Sequence, residues 1–92
     1  MANEISPLVT VVTVTLNCEE SISPTIENVA SQDYENIEYI IIDGKSVDKT
    51  LSIIRANDNC ISKFITEKDE GIYDAMNKGI SLASPQSRFI HF

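Results

Sequence analysis

Ninety-two residues with 14 acidic side chains against seven Lys and Arg, a formal charge of −7, admit one small domain and little more. That balance repels nucleic-acid backbones and anionic lipids and argues against nucleic acid as a partner, because binding phosphates needs clustered cations that release counterions, and the chain has no basic run. A hydrophobic share of 42% allows a core, but the apolar stretches 8–16 and 37–42 are too short to cross a bilayer, and two cysteines with one histidine lack zinc-ligand spacing.

No basic region, apolar run and cleavage site opens the chain, so a cytoplasmic location is expected. Residues 1–7 are expected to be disordered, ahead of a single unit over 8–92. Residues 8–15, LVTVVTVT, form the first predicted strand: β-branched side chains have restricted rotamers that suit an extended backbone, and neither face carries charge. Ser23-Pro24 marks a helix start, serine as cap and proline in the first turn, where its missing N–H is harmless. Ile22, Ile26, Val29 and Ala30 recur at helical spacing, and this helix should end near Gln32.

Residues 37–43 read as a second buried strand, with Asp43 at its carboxyl end and Gly44 breaking it. Ser46 is the expected cap of a second helix in which Val47, Leu51 and Ile54 share a face. A short strand over 61–66 and a polar turn over 67–70 lead to a third helix, 71–83. Its Ile72, Ala75, Met76, Gly79, Ile80 and Ala83 fall on one face. Pro85 should stop it, and residues 88–92 begin another strand. Cys18 and Cys60 read as free thiols, with a disulfide between them left open, and His91 draws no role.

The order β-α-β-α-β-α-β favours a Rossmann-like α/β fold, a parallel sheet with helices on both faces. Such sheets bind ligands beyond the carboxyl ends of their strands. The polar residues of interest fall there: Thr15, Asn17 and Glu19 after the first strand, Asp43 and Ser46 after the second, Glu67 and Asp69 after the third. Neither G-x-G-x-x-G nor G-x-x-x-x-G-K-[ST] occurs, which disfavours dinucleotide oxidoreductases and P-loop hydrolases.

Four segments, VTVTLN over 12–17, QDY over 32–34, EYIIIDGKSVDKT over 38–50 and EKDEGIYDAMNKG over 67–79, together resemble the successive motifs of family-2 glycosyltransferases. That family has the GT-A fold and transfers a sugar from a nucleotide donor with inversion. The resemblance implies that Asp43 accepts the N3–H of a uracil ring and so selects a UDP-sugar; read from its own neighbours, the alternative for Asp43 is a turn cap with Ser46. Thr15, Leu16 and Asn17 would form the loop under the base. Leu16 stands where many relatives have an aromatic, giving apolar contact without stacking. Glu19 is either a nucleotide contact or an exposed charge. Asp69 would lie near the ribose or sugar, Gly71 would let backbone approach, and the helix starting there would aim its positive end at an anionic donor. Asp74, Asn77 and Lys78 lie near that end; Asn77 is assigned to donor binding, and Asp74 with Lys78 is equally an i,i+4 ion pair. Tyr73 and Met76 are expected to pack.

The resemblance further implies a D-x-D motif for Mg2+ or Mn2+, a catalytic base and an acceptor pocket, all beyond Phe92, so no catalytic residue or metal ligand is assigned within the chain. The expectation is therefore an incomplete domain that binds nucleotide at most. Its implied partners are a nucleotide-sugar donor and a saccharide or lipid-linked acceptor, with family habit adding the inner face of a membrane. A last strand without its neighbours invites a homodimer. The rival reading is a non-catalytic doubly wound module, either a binding domain or a receiver-like signalling domain. A receiver wants carboxylates after the first strand and an Asp ending the third, where this chain has Thr15, Asn17 and Thr66.

Overall fold

Among the described residues four short strands alternate with three helices, and parallel pairing follows because each connection must return the chain to the same end of the sheet. The computed structural model describes residues 7–92, the Arg88 side chain excepted, so the expected disordered segment lies, but for Pro7, outside the described residues. The elements are β1 (Leu8–Thr15), α1 (Ile22–Ala30), β2 (Ile37–Asp43), α2 (Thr50–Ala56), β3 (Lys63–Thr66), α3 (Ile72–Leu82) and β4 (Ser87–His91), with a single 3-10 turn at Asp58–Cys60. The sheet is wholly parallel in the order β3-β2-β1-β4.

β1 and β2 are the inner strands, which is why β1 reads as an uncharged run rich in β-branched residues and β2 as an isoleucine-rich one whose two acids, Glu38 and Asp43, lie near its ends. Alternation along β2 splits the core in two. Tyr39 and Ile41 join Ile22 and Ile26 of α1 and Ile54 of α2 on one face. Ile40 and Ile42 join Val12 and Ala75 of α3 on the other. α1 and α2 thus cover one face while α3, crossing from β3 to β4, covers the opposite one. The expected architecture, helices on both faces of a parallel sheet, is the observed one.

Several boundaries differ from the sequence reading, each for a local reason. Ser21, not Ser23, precedes α1, and Pro24 is its third residue, still inside the first turn where no backbone bond is lost. Ala30 is exposed rather than on the buried face. α2 begins at Thr50, so Ser46 does not cap it: Asp48 Oδ1 instead accepts the Thr50 N–H at 2.9 Å, and Val47 is 88% exposed. β3 begins at Lys63, because residues 58–61 are held by the 3-10 turn. In α3 the buried line runs through Ala75 and Gly79, while Ile72 and Ile80 are exposed and Tyr73, expected to pack, is 80% exposed. Close approach explains that choice. A Cβ on Gly79 would stand 2.6 Å from Val12 Cγ1, so only the smallest residues fit at the contact.

At the amino end of the sheet the buried Glu38 of β2 ties the α3–β4 connection down. It accepts hydrogen bonds from Thr10 Oγ1 (2.9 Å), Ser84 N (2.9 Å) and Ser84 Oγ (2.5 Å), and pairs with Lys63 Nζ at 3.2 Å. Lys63 also donates to the Leu82 carbonyl at the end of α3. No helix among the described residues is long and apolar enough to cross a membrane.

Candidate functional site

Parallel register puts the last residues of the three strands in one row: Thr15 beside Asp43, and Asp43 beside Thr66. Asp43 is fully buried, and a carboxylate without water needs hydrogen bonds in compensation. It finds four. Oδ1 accepts from Thr15 Oγ1 at 2.6 Å and Ser46 Oγ at 2.6 Å; Oδ2 accepts from Ser46 N at 2.8 Å and Thr66 Oγ1 at 2.8 Å. Burial pushes its pKa up, but the bonds from Ser46, Thr15 and Thr66 outweigh that and hold the carboxyl below its ordinary value. The backbone adds to the clamp, with Gly44 N donating to Thr15 O at 3.0 Å and Glu67 N to Asp43 O at 2.9 Å.

A second layer of bonds joins the loop after β1 to the loop after β2. Asn17, in the left-handed region at φ 49°, donates its N–H to Ser46 Oγ at 2.9 Å, and its Oδ1 accepts the Val47 N–H at 2.8 Å. Asparagine tolerates that conformation because its short amide bonds locally. Glu19 bonds across the same gap twice, its Oε1 accepting from Lys49 N at 3.0 Å and its N–H donating to Asp48 Oδ2 at 3.2 Å.

The loop after β3 closes the third side. A Cβ on Gly44 would lie 2.8 Å from Asp69 Oδ2, so the absence of a side chain there is what lets the Asp69 carboxylate sit against the β2 loop. Gly71, at φ 115°, occupies backbone that side-chain-bearing residues rarely adopt, and its N–H donates to Asp69 Oδ1 at 3.2 Å. Glu70 N donates to Asp74 Oδ2 at 2.9 Å, which with Lys78 holds the Asp74 carboxyl below its usual range. Lys78 meets Glu67 at 3.1 Å and Asp74 at 3.5 Å, so the i,i+4 pair is present and serves the turn as well as the helix.

Between these loops lies a cleft of about 240 Å³ lined by Val14, Thr15, Leu16, Asp69, Gly71 and Ile72. That volume suits part of a drug-sized ligand rather than the whole. Of the residues singled out in the sequence, Thr15, Leu16, Asp69 and Gly71 line it, and Asp43 and Ser46 form the buried hydrogen-bonded layer behind Thr15. Asn17 and Glu19 face a neighbouring polar hollow with Cys18, Glu20, Ser21 and Asp48. Asn77 is exposed on α3 and outside both linings. A larger hollow of about 410 Å³ lies between α1 and the sheet, bordered by Val9, Val11, Val29, Ile37 and His91, but it gathers no buried polar network and sits away from the β1–β3 loops.

Carboxylates outnumber amines around the mouth: Glu19, Glu20, Asp48 and Glu70 stand with Lys45, Lys49 and Lys68, while Lys78 is engaged by two acids. Among the described residues no three His, Cys, Asp or Glu side chains group as a metal-ligand set. Sequence reasoning gave no site role to Thr66, Asp48 and Gly44. Parallel register would have found Thr66, since it ends β3 level with Asp43; Asp48 two residues before Thr50 was a local capping signal, while its bond from Glu19 and the approach of Gly44 to Asp69 join distant loops and leave none.

Residues 10–92 match the family described as glycosyl transferase family 2. An uncharacterized glycosyltransferase of Mycobacterium tuberculosis is 36% identical over 80 residues, covering 86% of this chain and 30% of that protein. The mannosyltransferase PcManGT from Pyrobaculum calidifontis, solved with GDP-Man and Mn2+, superposes with a TM-score of 0.78 at 26% identity, over 87% of this chain and 25% of that one. Residues 1–349 of TarS from S. aureus superpose with a TM-score of 0.79 at 23% identity, over 90% and 26%, which speaks for the fold. The chain therefore spans about a quarter to a third of the length of these relatives.

Proposed function

For a chain that belongs to glycosyl transferase family 2 and carries the GT-A fold, we propose that residues 8–92 form the donor-binding part of an inverting sugar transferase. The observation that carries this reading is one cleft at the carboxyl edge of the sheet, lined by the loops after β1 and β3 through Leu16 and Asp69, with Gly44 of the loop after β2 close against Asp69. The nucleoside of the donor enters that cleft against Leu16 and Ile72. Thr15, Asn17, Asp43 and Ser46 keep its walls in place, and Gly71 opens backbone at the start of α3 toward the diphosphate. Glu19 and Asn77 have weaker claims, one lining the adjoining hollow and the other standing a turn along α3.

In the reaction an acceptor hydroxyl oxygen bonds to the anomeric carbon as the bond to the diphosphate oxygen breaks. The hydroxyl proton passes to a base, and the configuration inverts. We assign the base, the acceptor pocket and the ligands of Mg2+ or Mn2+ to the part of such an enzyme outside residues 1–92. The resemblance in the sequence supports a UDP-sugar and a saccharide or lipid-linked acceptor, in the cytoplasm or at the inner face of a membrane. A guanosine donor has its precedent in PcManGT, which is solved with GDP-Man. A receiver-like module gains no support: Thr66 ends β3 and donates its hydroxyl to Asp43.

Titration of the 15N-labelled chain with UDP and with GDP tests the site. Shifts are expected at the amides of Leu16, Asn17, Gly44, Asp69 and Gly71, with Ser84 and Ser87 at the opposite end unmoved. Shifts centred on the hollow beside α1, or none at millimolar nucleotide, would overturn it. Sugar transfer by the 92-residue chain alone would overturn the assignment of the chemistry elsewhere.

A further inference from the structure

We propose that the two carboxylates at this edge divide the work: Asp69 accepts the ring N–H of the donor's base, and Asp43 is a positioning residue that does not touch it. The inference rests on the nucleotide-binding reading above and names the group that reads the base.

Asp43 has no acceptor capacity to offer. A carboxylate presents about four lone-pair sites, and Thr15 Oγ1, Ser46 Oγ, Ser46 N and Thr66 Oγ1 occupy them at 2.6–2.8 Å. Its exposure is 0%. The donors come from the ends of β1 and β3 and from the loop after β2, so turning the carboxylate toward a ligand would strand buried hydroxyls and undo the junction that shapes the cleft. The Ser46 hydroxyl in turn accepts the Asn17 N–H, which extends the same post into the loop carrying Leu16.

Asp69 is differently placed. It is half-buried, it lines the cleft, and among the described residues the hydrogen bond it receives is a 3.2 Å contact from Gly71 N. The walls around it are Val14, Leu16 and Ile72, and Leu16 and Ile72 are 59% and 61% exposed. A planar heterocycle between those two side chains covers apolar surface and brings its polar edge to a single carboxylate acceptor. An edge carrying a ring N–H beside a carbonyl satisfies that acceptor; uracil N3–H and guanine N1–H share this chemistry. Cytosine presents a ring lone pair at the same point, which leaves the carboxylate facing another acceptor. Gly44 belongs to the device, since a Cβ there would displace the Asp69 oxygen.

The test is a titration of the 92-residue chain with UDP, GDP, CDP and N3-methyl-UDP, followed by NMR, in wild type, Asp69→Asn and Asp43→Asn. Wild type should bind UDP or GDP about tenfold more tightly than CDP, with N3-methyl-UDP falling to the level of CDP; the better of UDP and GDP identifies the base. Asp69→Asn should erase this preference while its spectrum stays dispersed. Asp43→Asn should weaken every nucleotide by a common factor and keep the preference. Should Asp43→Asn not fold, Thr66→Val, which removes one of the four donors, should show the same common loss. Preference surviving in Asp69→Asn, or vanishing in a folded Asp43→Asn, overturns the proposal alone. Failure of wild type to bind any of the four overturns the donor site and this inference with it.

Discussion

Glu38 shows how a buried acid can be held charged by groups from three distant segments. Burial alone would raise its pKa, but Ser84, Thr10 and Lys63 lower it from 4.5 to about 2. Because the folded value is depressed, the stabilisation is full above pH 4.5 and is lost as pH falls toward 2. At full strength that displacement corresponds to about 3 kcal/mol, and water at the margin of the cluster reduces it to about 2 kcal/mol. Glu38→Gln should therefore lower stability at neutral pH by about 2 kcal/mol and flatten the acid limb of a urea-denaturation series. A mutant that keeps the wild-type acid limb would show that other carboxylates set it. At this scale the sequence was partly readable. Asp43 before Gly44 announces a turn, and the turn with Ser46 is there, but Thr10, Ser84 and Lys63 are 28, 46 and 25 positions from Glu38 and nothing local links them.

The strands were legible to the residue where inner positions made them rich in β-branched residues, as in Leu8–Thr15 and Ile37–Asp43. Helix starts were less so, because a capping residue type is common and its choice depends on contacts made elsewhere. Ser46 is the clear case: Asp43 recruits it, and α2 starts four residues later. α3 was found by its period, but the buried face was set by distance to the sheet rather than by hydrophobicity. Gly79→Ala should test that. Alanine favours a helix by about 1 kcal/mol, yet overlap with Val12 Cγ1 at 2.6 Å should cost more, roughly 1–3 kcal/mol for overpacking. The net expectation is a lower urea midpoint, while Ile80→Ala, at a 47% exposed position, should barely move it. A stabilised Gly79→Ala would mean that α3 can slide off the sheet.

For the molecule as a whole, alternation of strand and helix was enough to give parallel pairing and helices on both faces. The strand order β3-β2-β1-β4 was not readable, because it depends on which side of β1 the last crossover lands. That landing makes β4 an edge strand, with Phe89 60%, Ile90 38% and the following Phe92 47% exposed. An exposed apolar edge is a template for pairing with another chain. The 92-residue chain should self-associate at high concentration by sedimentation velocity, and Phe89→Lys should restore the monomer. A wild-type monomer throughout would show that the edge is self-protected.

The acids of the loops after β1, β2 and β3, Glu19, Glu20, Asp48 and Glu70 among them, stand with three lysines, Lys45, Lys49 and Lys68, and that balance has a kinetic and thermodynamic meaning of its own. A nucleoside diphosphate arriving here climbs an unfavourable potential instead of descending a favourable one. Dissolved ions flatten that slope. UDP should then bind better as sodium chloride rises from low to moderate concentration, opposite in sign to the usual phosphate-binding protein, while neutral uridine keeps one affinity throughout. Weaker UDP binding with added salt would instead mark Lys45, Lys49 and Lys68 as the charges the diphosphate feels.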